Sequence, residues 1–522
     1  MLVYGDQRFT APLNTLLDAV LAMDTATLQQ QRELLIRLGQ IEQAAYDQAL
    51  PFAENFQQAT RLAAQLFYQS WQGQVVSTPS RLYDLLNAAH QEVEVTLKVP
   101  EGFAFYALYP EQYILAAEQW MANHPTRKKV LVVGLRSIGT TLGAVVSAVL
   151  EAAGYPIQYL TVRPTGHPFQ REVILPPIEN CVWGLVVDEG PGQSGSSMAA
   201  VAEAMAQGGI APEHICFLPG HANDPGSAAN EQVRQWWAAA PRYVSNAEAI
   251  GIKTRLAAAT APHFRVTTAQ IEVRGVYPVS PFDRLQYICT AGAEKIIWNF
   301  AGLMGRAEQA AQQHEQRGTF APALIAVGDG FIGIAHVEGQ PLTITDKNRD
   351  LLRMLARYIR QVAQPFDDPA AFARLSDMLY RNVQIMFDDT AAHQVKTWVE
   401  ALPPFRFTQG YGDGNLAPEK WIVSYDKFIK LDSTGRQYDH TLIQQQPVAW
   451  DIASAIVEWD LDSAETAHLL STFYSAGGEP IPADHLRFYC MAYAAFRCGV
   501  RYYEGQNDDF YRVQIARIID HL

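Results

Sequence analysis

The chain has 522 residues, 48% of them apolar and 18% charged, and a formal net charge of −14. That length implies roughly three domains of ordinary globular composition. The acidic balance argues against a general nucleic-acid or membrane surface, and leaves anionic small ligands to local loops. The cysteines (Cys181, Cys216, Cys289, Cys490, Cys498) are scattered without a CxxC pair. This fits a reducing compartment and gives no zinc or disulfide framework. No basic start leads into an apolar core, and no apolar run reaches about 18 residues, so a cytoplasmic protein is expected.

Residues 1 to about 95 read as mainly helical. Leu13, Leu17 and Leu21 recur at helical spacing, as do Leu34, Leu38 and Ile41 and then Leu62 and Leu66. Pro51 and the Ser77–Ser80 cluster are natural breaks. Nothing in this segment carries chemistry; it is expected to be a cap, or a surface for a homo-oligomer or protein partner. From about 96 to 265, buried strands alternate with helices: Val130–Leu135, Ile157–Val162, a short Val173–Leu175, Val182–Val187 and His214–Leu218. That alternation predicts a doubly wound parallel sheet, whose ligands sit at the carboxyl ends of its strands. Two such ends stand out. Val187 runs into Asp188-Glu189 and then into the small-residue loop Gly190–Gly195, with Ser196 or Ser197 able to cap the helix up to Gln207. Leu135 runs into Arg136-Ser-Ile-Gly-Thr-Thr141. Backbone N–H groups at such a loop favour an anion, and paired carboxylates suit a sugar diol or a magnesium ion.

Beyond about 266 the pattern changes. A hairpin is expected around Thr290–Glu294, then a helix from Arg306, then strands at Leu324–Val327 and Phe331–His336. After 346 the chain is helical apart from a hairpin near 421–432. This divides residues 266–522 into a small sheet-rich lobe, about 270–340, and a large helical lobe, about 341–522.

The stretch 182–198 resembles the signature of type I phosphoribosyltransferases, and Val130–Gly143 resembles that family's pyrophosphate-binding strand and loop. The resemblance implies that Asp188 and Glu189 hold the ribose hydroxyls of a phosphoribosyl diphosphate-type ligand. Gly192, Ser194, Gly195, Ser196 and Ser197 would cradle its 5-phosphate. Arg136, Ser137, Gly139 and Thr140 would face the pyrophosphate, with Mg2+ bridging diol and pyrophosphate. Arg163–Arg171 falls where the family keeps its catalytic loop. The loop here is one residue longer than the usual pattern, and no hood that reads a base is identifiable.

Residues 270–522 resemble the aminoglycoside-phosphotransferase-like kinases, a branch of the protein-kinase fold. Tyr411-Gly-Asp-Gly-Asn415 looks like the catalytic loop. The resemblance implies that Asp413 orients and deprotonates the acceptor hydroxyl, that Asp432 binds magnesium, and that Asp451 supports the loop. Lys295 and Asn299 share one face of a strand, where the family grips the phosphates of ATP, and Glu308 could pair with the lysine. His336–Leu342, with Glu338, looks like the hinge that meets adenine. Position 418 is proline where the family has its second metal ligand; Asn415 and Glu419 are the nearest replacements. The expectation is a nucleotide- and sugar-phosphate-handling fusion that transfers phosphoribosyl or phosphoryl groups to a small molecule. The competing expectation is a catalytically degenerate nucleotide sensor, regulator or scaffold. His221, at a third strand end, Asp439-His440 and Trp236-Trp237 are weaker candidates, each an ordinary turn or core residue on the simpler reading.

Overall fold

A computed structural model describes the chain except for residues 168, 279–281 and 432–439. It divides into two compact units. One comprises residues 8–255 and 302–304; the other comprises 1–7, 256–301 and 305–522. Among the described residues, no helix is long and apolar enough to cross a membrane.

The first unit is built on a four-stranded parallel sheet. Val130–Leu135 lies between Ile157–Val162 and Trp183–Val187, and Ile215–Leu218 lies beyond the latter. A parallel bridge from Phe217 to Arg242 extends the order by one position. Val130–Leu135 is buried throughout, as a strand covered on both faces must be. On one face Leu131, Val133 and Val186 pack with Met198, Val201 and Met205 of helix Ser196–Gln207. On the other lies helix Ile138–Ala152, where a side chain at Gly143 would come within 3.2 Å of the Gly134 Cα. Glycine at both positions lets helix and strand approach closely. Helices Leu28–Asp47 and Ala53–Trp71 pack on that same helix. They form an outer layer of this unit.

Two local expectations are corrected. Val173–Leu175 is not a strand; the pairing is Thr165–His167 with Gln170–Glu172. Pro176 and Pro177 follow at once and have no N–H to donate, so no ladder can continue past Leu175. The helix after the acidic loop starts at Ser196 with Gly195 as its N-cap, at φ 61°. A Cβ there would stand 2.9 Å from Val233 and 3.2 Å from Pro225, so a capping serine has no room at that position.

The second unit holds a five-stranded antiparallel sheet. Its order is Leu324–Gly328, Phe331–Ala335, Glu294–Phe300, Gln286–Ala291, Glu272–Val276, and helix Arg306–Gln316 joins the third strand in sequence to the fourth. The hairpin turns through Gly292, at φ 61°, which suits a two-residue connection. Among the described residues, seven helices follow from Arg349 to Ile519, with the hairpin Trp421–Ser424/Lys427–Lys430 between the third and fourth. Leu351, Leu355 and Ile359 recur on one face of the first of these helices and enter an extensive apolar core. The first residues of the chain belong here. Val3 is buried in that core. Leu2 N–H donates to Asn382 Oδ1 at 2.6 Å, and Asn382 Nδ2 donates back to Leu2 O at 3.0 Å.

Candidate functional site

In chain order the parallel strands run 2-1-3-4, so the order reverses between Val130–Leu135 and Trp183–Val187. Open sheets of this kind bind ligands at the carboxyl side of that reversal. The two segments found there are Arg136–Thr141 and Asp188–Gly195. The first lies against the strand that leads into the second: a Cβ on Gly139 would lie 2.6 Å from Val187 O. The loop is held from outside by Gly226 N–H to Gly192 O (3.0 Å) and Ala228 N–H to Gln193 O (3.2 Å). Its serines are linked, Ser194 Oγ to Ser196 Oγ at 3.0 Å.

Asp188 and Glu189 are half-buried. Burial holds both carboxyls above the usual range, and for Glu189 the neighbouring Glu101 and Asp188 add to it. The Glu189 carboxylate accepts Gly102 N–H at 3.0 Å. The short helix Glu101–Phe105 therefore lies against the acids, a cover that the sequence did not reveal. The His221 ring stands against Gly190, where a Cβ would be 2.6 Å from Nε2. The remaining predicted groups diverge. Arg136 turns to Asp47, Nε to Oδ1 3.0 Å, and Thr140 is fully buried.

The second site centres on Asp413, which is 2% exposed. Its loop is fixed by Asp451, whose carboxylate accepts N–H bonds from Gly412 (2.8 Å), Asp413 (3.2 Å) and Gly414 (2.7 Å). Burial and the nearby Asp413 charge push Asp451 up to about 7, against the pull of those bonds. Gly414 has φ 79°, and a Cβ on Gly412 would collide with Val362 O; each glycine is a steric requirement of the turn. Three side chains converge on the Asp413 carboxylate. Lys430 Nζ lies 3.0 Å from Oδ1, Arg317 lies 3.4 Å from Oδ2, and Tyr358 donates to Oδ2 at 2.5 Å. Both cations are buried. A carboxylate held in this way is neutralised by the chain itself.

Sequence reasoning missed Lys430, Arg317 and Tyr358. One signal was present: Lys430 interrupts the apolar run Phe428–Leu431, and a buried lysine requires an acid. Asn415 is buried, and its Oδ1 accepts Ala417 N–H at 3.3 Å. Asp432 and Asp439 lie outside the described residues. Asn415 is thus engaged in its own turn, and no group of three acidic, histidine or cysteine residues able to hold a metal occurs among the described residues.

In the small sheet, Asn299 is buried and its Oδ1 accepts Gln286 Nε2 at 2.7 Å. Lys295, on the same face, is exposed, as are Glu308 and Glu338. Among the described residues, no ion pair joins Lys295 to Glu308. His440 stacks on Tyr4 with ring centres 5.0 Å apart. Trp237 packs on Phe217 in the first unit's core.

No protein-family model matches the chain, and comparison with curated proteins gives no match. Solved structures similar to about half of the chain do exist. A macrolide 2'-phosphotransferase type I is 14% identical, covering 51% of this chain and 96% of its own, with a TM-score of 0.34. A choline kinase from Cryptosporidium parvum Iowa II is 11% identical over 52% of this chain and 94% of its own, at 0.37. The choline kinase LicA from Streptococcus pneumoniae is 14% identical over 52% and 98%, at 0.36. Scores at this level do not establish a shared fold.

Proposed function

We propose that the second unit is a kinase-like phosphotransferase that takes a phosphoryl group from ATP and passes it to a hydroxyl of a small molecule. The observation that carries the reading is the loop Gly412–Asn415, which presents one carboxylate on a turn whose three N–H groups are fixed by Asp451. Phosphoryl transfer is mostly positioning and charge neutralisation, so a rigid acid beside a nucleotide suits it. Bound Mg2+ would neutralise the phosphates, with Asp432 and Asn415 its proposed ligands; Asn415 would first have to release Ala417. Asp413 would orient the acceptor hydroxyl once Lys430 and Arg317 yield.

That last condition favours a second reading, in which this unit binds nucleotide without turnover, as a sensor or regulator. The buried cations on Asp413 are the specific observation behind it. For the first unit we propose a phosphoribosyl diphosphate-type ligand at Asp188-Glu189. Support comes from the sheet reversal and the loop, with the cover Glu101–Phe105 moving aside.

ATP consumption by the full chain with Mg2+ separates the readings. Slow consumption that Asp413→Asn abolishes supports the phosphotransferase. ATP binding with no consumption, in wild type and in Lys430→Met alike, removes it and leaves the sensor. Calorimetry with phosphoribosyl diphosphate tests the first unit: Asp188→Asn is expected to lose at least tenfold in affinity, and unchanged affinity would sink that assignment.

A further inference from the structure

A cavity of about 530 Å³ lies in the first unit at the outer edge of the parallel sheet, and it shares only Arg136 with the loops at the sheet reversal. Tyr46, Gln57, Arg61, Arg136, Thr161 and Arg163 line it. Asp188, Glu189 and the loop Gly190–Gly195 do not. The volume falls within the ordinary range for small-molecule sites.

Two observations point to a ligand. The first is an anion seat. Arg136 and Arg163 both grip Asp47: Arg136 Nε lies 3.0 Å from Oδ1, Arg163 Nε donates to Oδ1 at 3.3 Å, and an Arg163 terminal nitrogen bonds Oδ2. The Arg136 guanidinium also lies 5.4 Å over the Tyr46 ring. Paired guanidinium forks match the oxygens of a phosphate as well as those of a carboxylate. Asp47 is the last residue of helix Leu28–Asp47, where the helix dipole disfavours negative charge. It is also partly solvent-exposed, so it can leave the seat for water.

The second observation is a set of unsatisfied buried polar atoms behind the same wall. Glu42 is fully buried, facing Thr60, Gln57 and Thr161. Neither of its oxygens, nor Thr161 Oγ1, makes a hydrogen bond of good geometry. Buried polar groups are normally paired, and exceptions call for a partner. Gln57 and Thr161, which face Glu42, also line the cavity, so a polar ligand there would give Thr161 Oγ1 a partner.

We propose that this cavity is a second ligand site, for a phosphate monoester of nucleotide or sugar-phosphate size, whose phosphate displaces Asp47 from between Arg136 and Arg163. The rest of the ligand meets Gln57, Gln58 and Thr161. Inorganic phosphate alone would fill the seat and leave most of the cavity empty. The proposal depends on neither reading above.

Calorimetric titration of the full chain with ribose 5-phosphate, and with inorganic phosphate for comparison, tests it. Ribose 5-phosphate is expected to bind more tightly than phosphate. Asp47→Asn should tighten its binding about tenfold and Arg163→Met weaken it at least tenfold. Gln58→Trp, which fills the cavity from an exposed position and leaves Arg136 and Arg163 in place, should abolish the binding that Asp47→Asn tightens, in a folded protein. The proposal fails if neither wild type nor Asp47→Asn binds ribose 5-phosphate. It also fails if Arg163→Met and Gln58→Trp both bind ribose 5-phosphate as wild type does.

Discussion

Asp451→Ala is expected to destabilise the second unit by about 3–6 kcal/mol, since three buried N–H groups lose their acceptor at about 1–3 kcal/mol each, less than additively. The three donors are consecutive and share this one carboxylate. Asp451→Asn keeps one carbonyl acceptor and relieves the repulsion with Asp413, so its loss should be smaller. Two linked units need not unfold in one step, so amide hydrogen exchange at Gly412, Asp413 and Gly414 is the suitable readout. Protection at those amides equal to wild type in the alanine variant would overturn the role given to Asp451.

Glu42→Gln should change how the stability of the first unit depends on pH. Burial pushes Glu42 up to about 8 from a usual 4.5, the effect outweighing Thr60, Gln57, Arg136 and Thr161. The folded state thus holds a proton that the unfolded chain releases. The stability tied to that proton is complete below pH 4.5 and is lost as pH rises towards 8. At about 1.4 kcal/mol per pK unit the loss is several kcal/mol. Glutamine carries no such loss. The melting temperature of the variant relative to wild type should therefore rise between about pH 5 and pH 9, and an equal difference at both pH values would show that Glu42 is not buried as an acid.

The parallel sheet was legible because its strands are short β-branched runs bounded by breakers, and Val130–Leu135 and Leu185–Val187 are buried as that pattern requires. The Gly292 turn was legible for the same local reason. The surroundings of Asp413 were not. Tyr358 lies 55 positions away in sequence, and no periodicity links it, Arg317 and Lys430 to one carboxylate. The pairing of Arg136 with Asp47 is hidden likewise, because a cation beside a glycine-rich turn reads as a phosphate ligand whichever way its side chain turns. Helix Glu101–Phe105 was missed because one helical turn leaves too few residues to show a period.

The placement of residues 1–7 has a consequence for how the chain is made. Leu2 bonds to Asn382, and the Tyr503 hydroxyl donates to Met1 O across 502 positions. These residues leave the ribosome hundreds of residues before their partners. Forming contacts at such separation is slow, so the second unit completes its core only after synthesis reaches its last helices. Until then the leading segment must wait for its partners, and the first unit can fold in the interval.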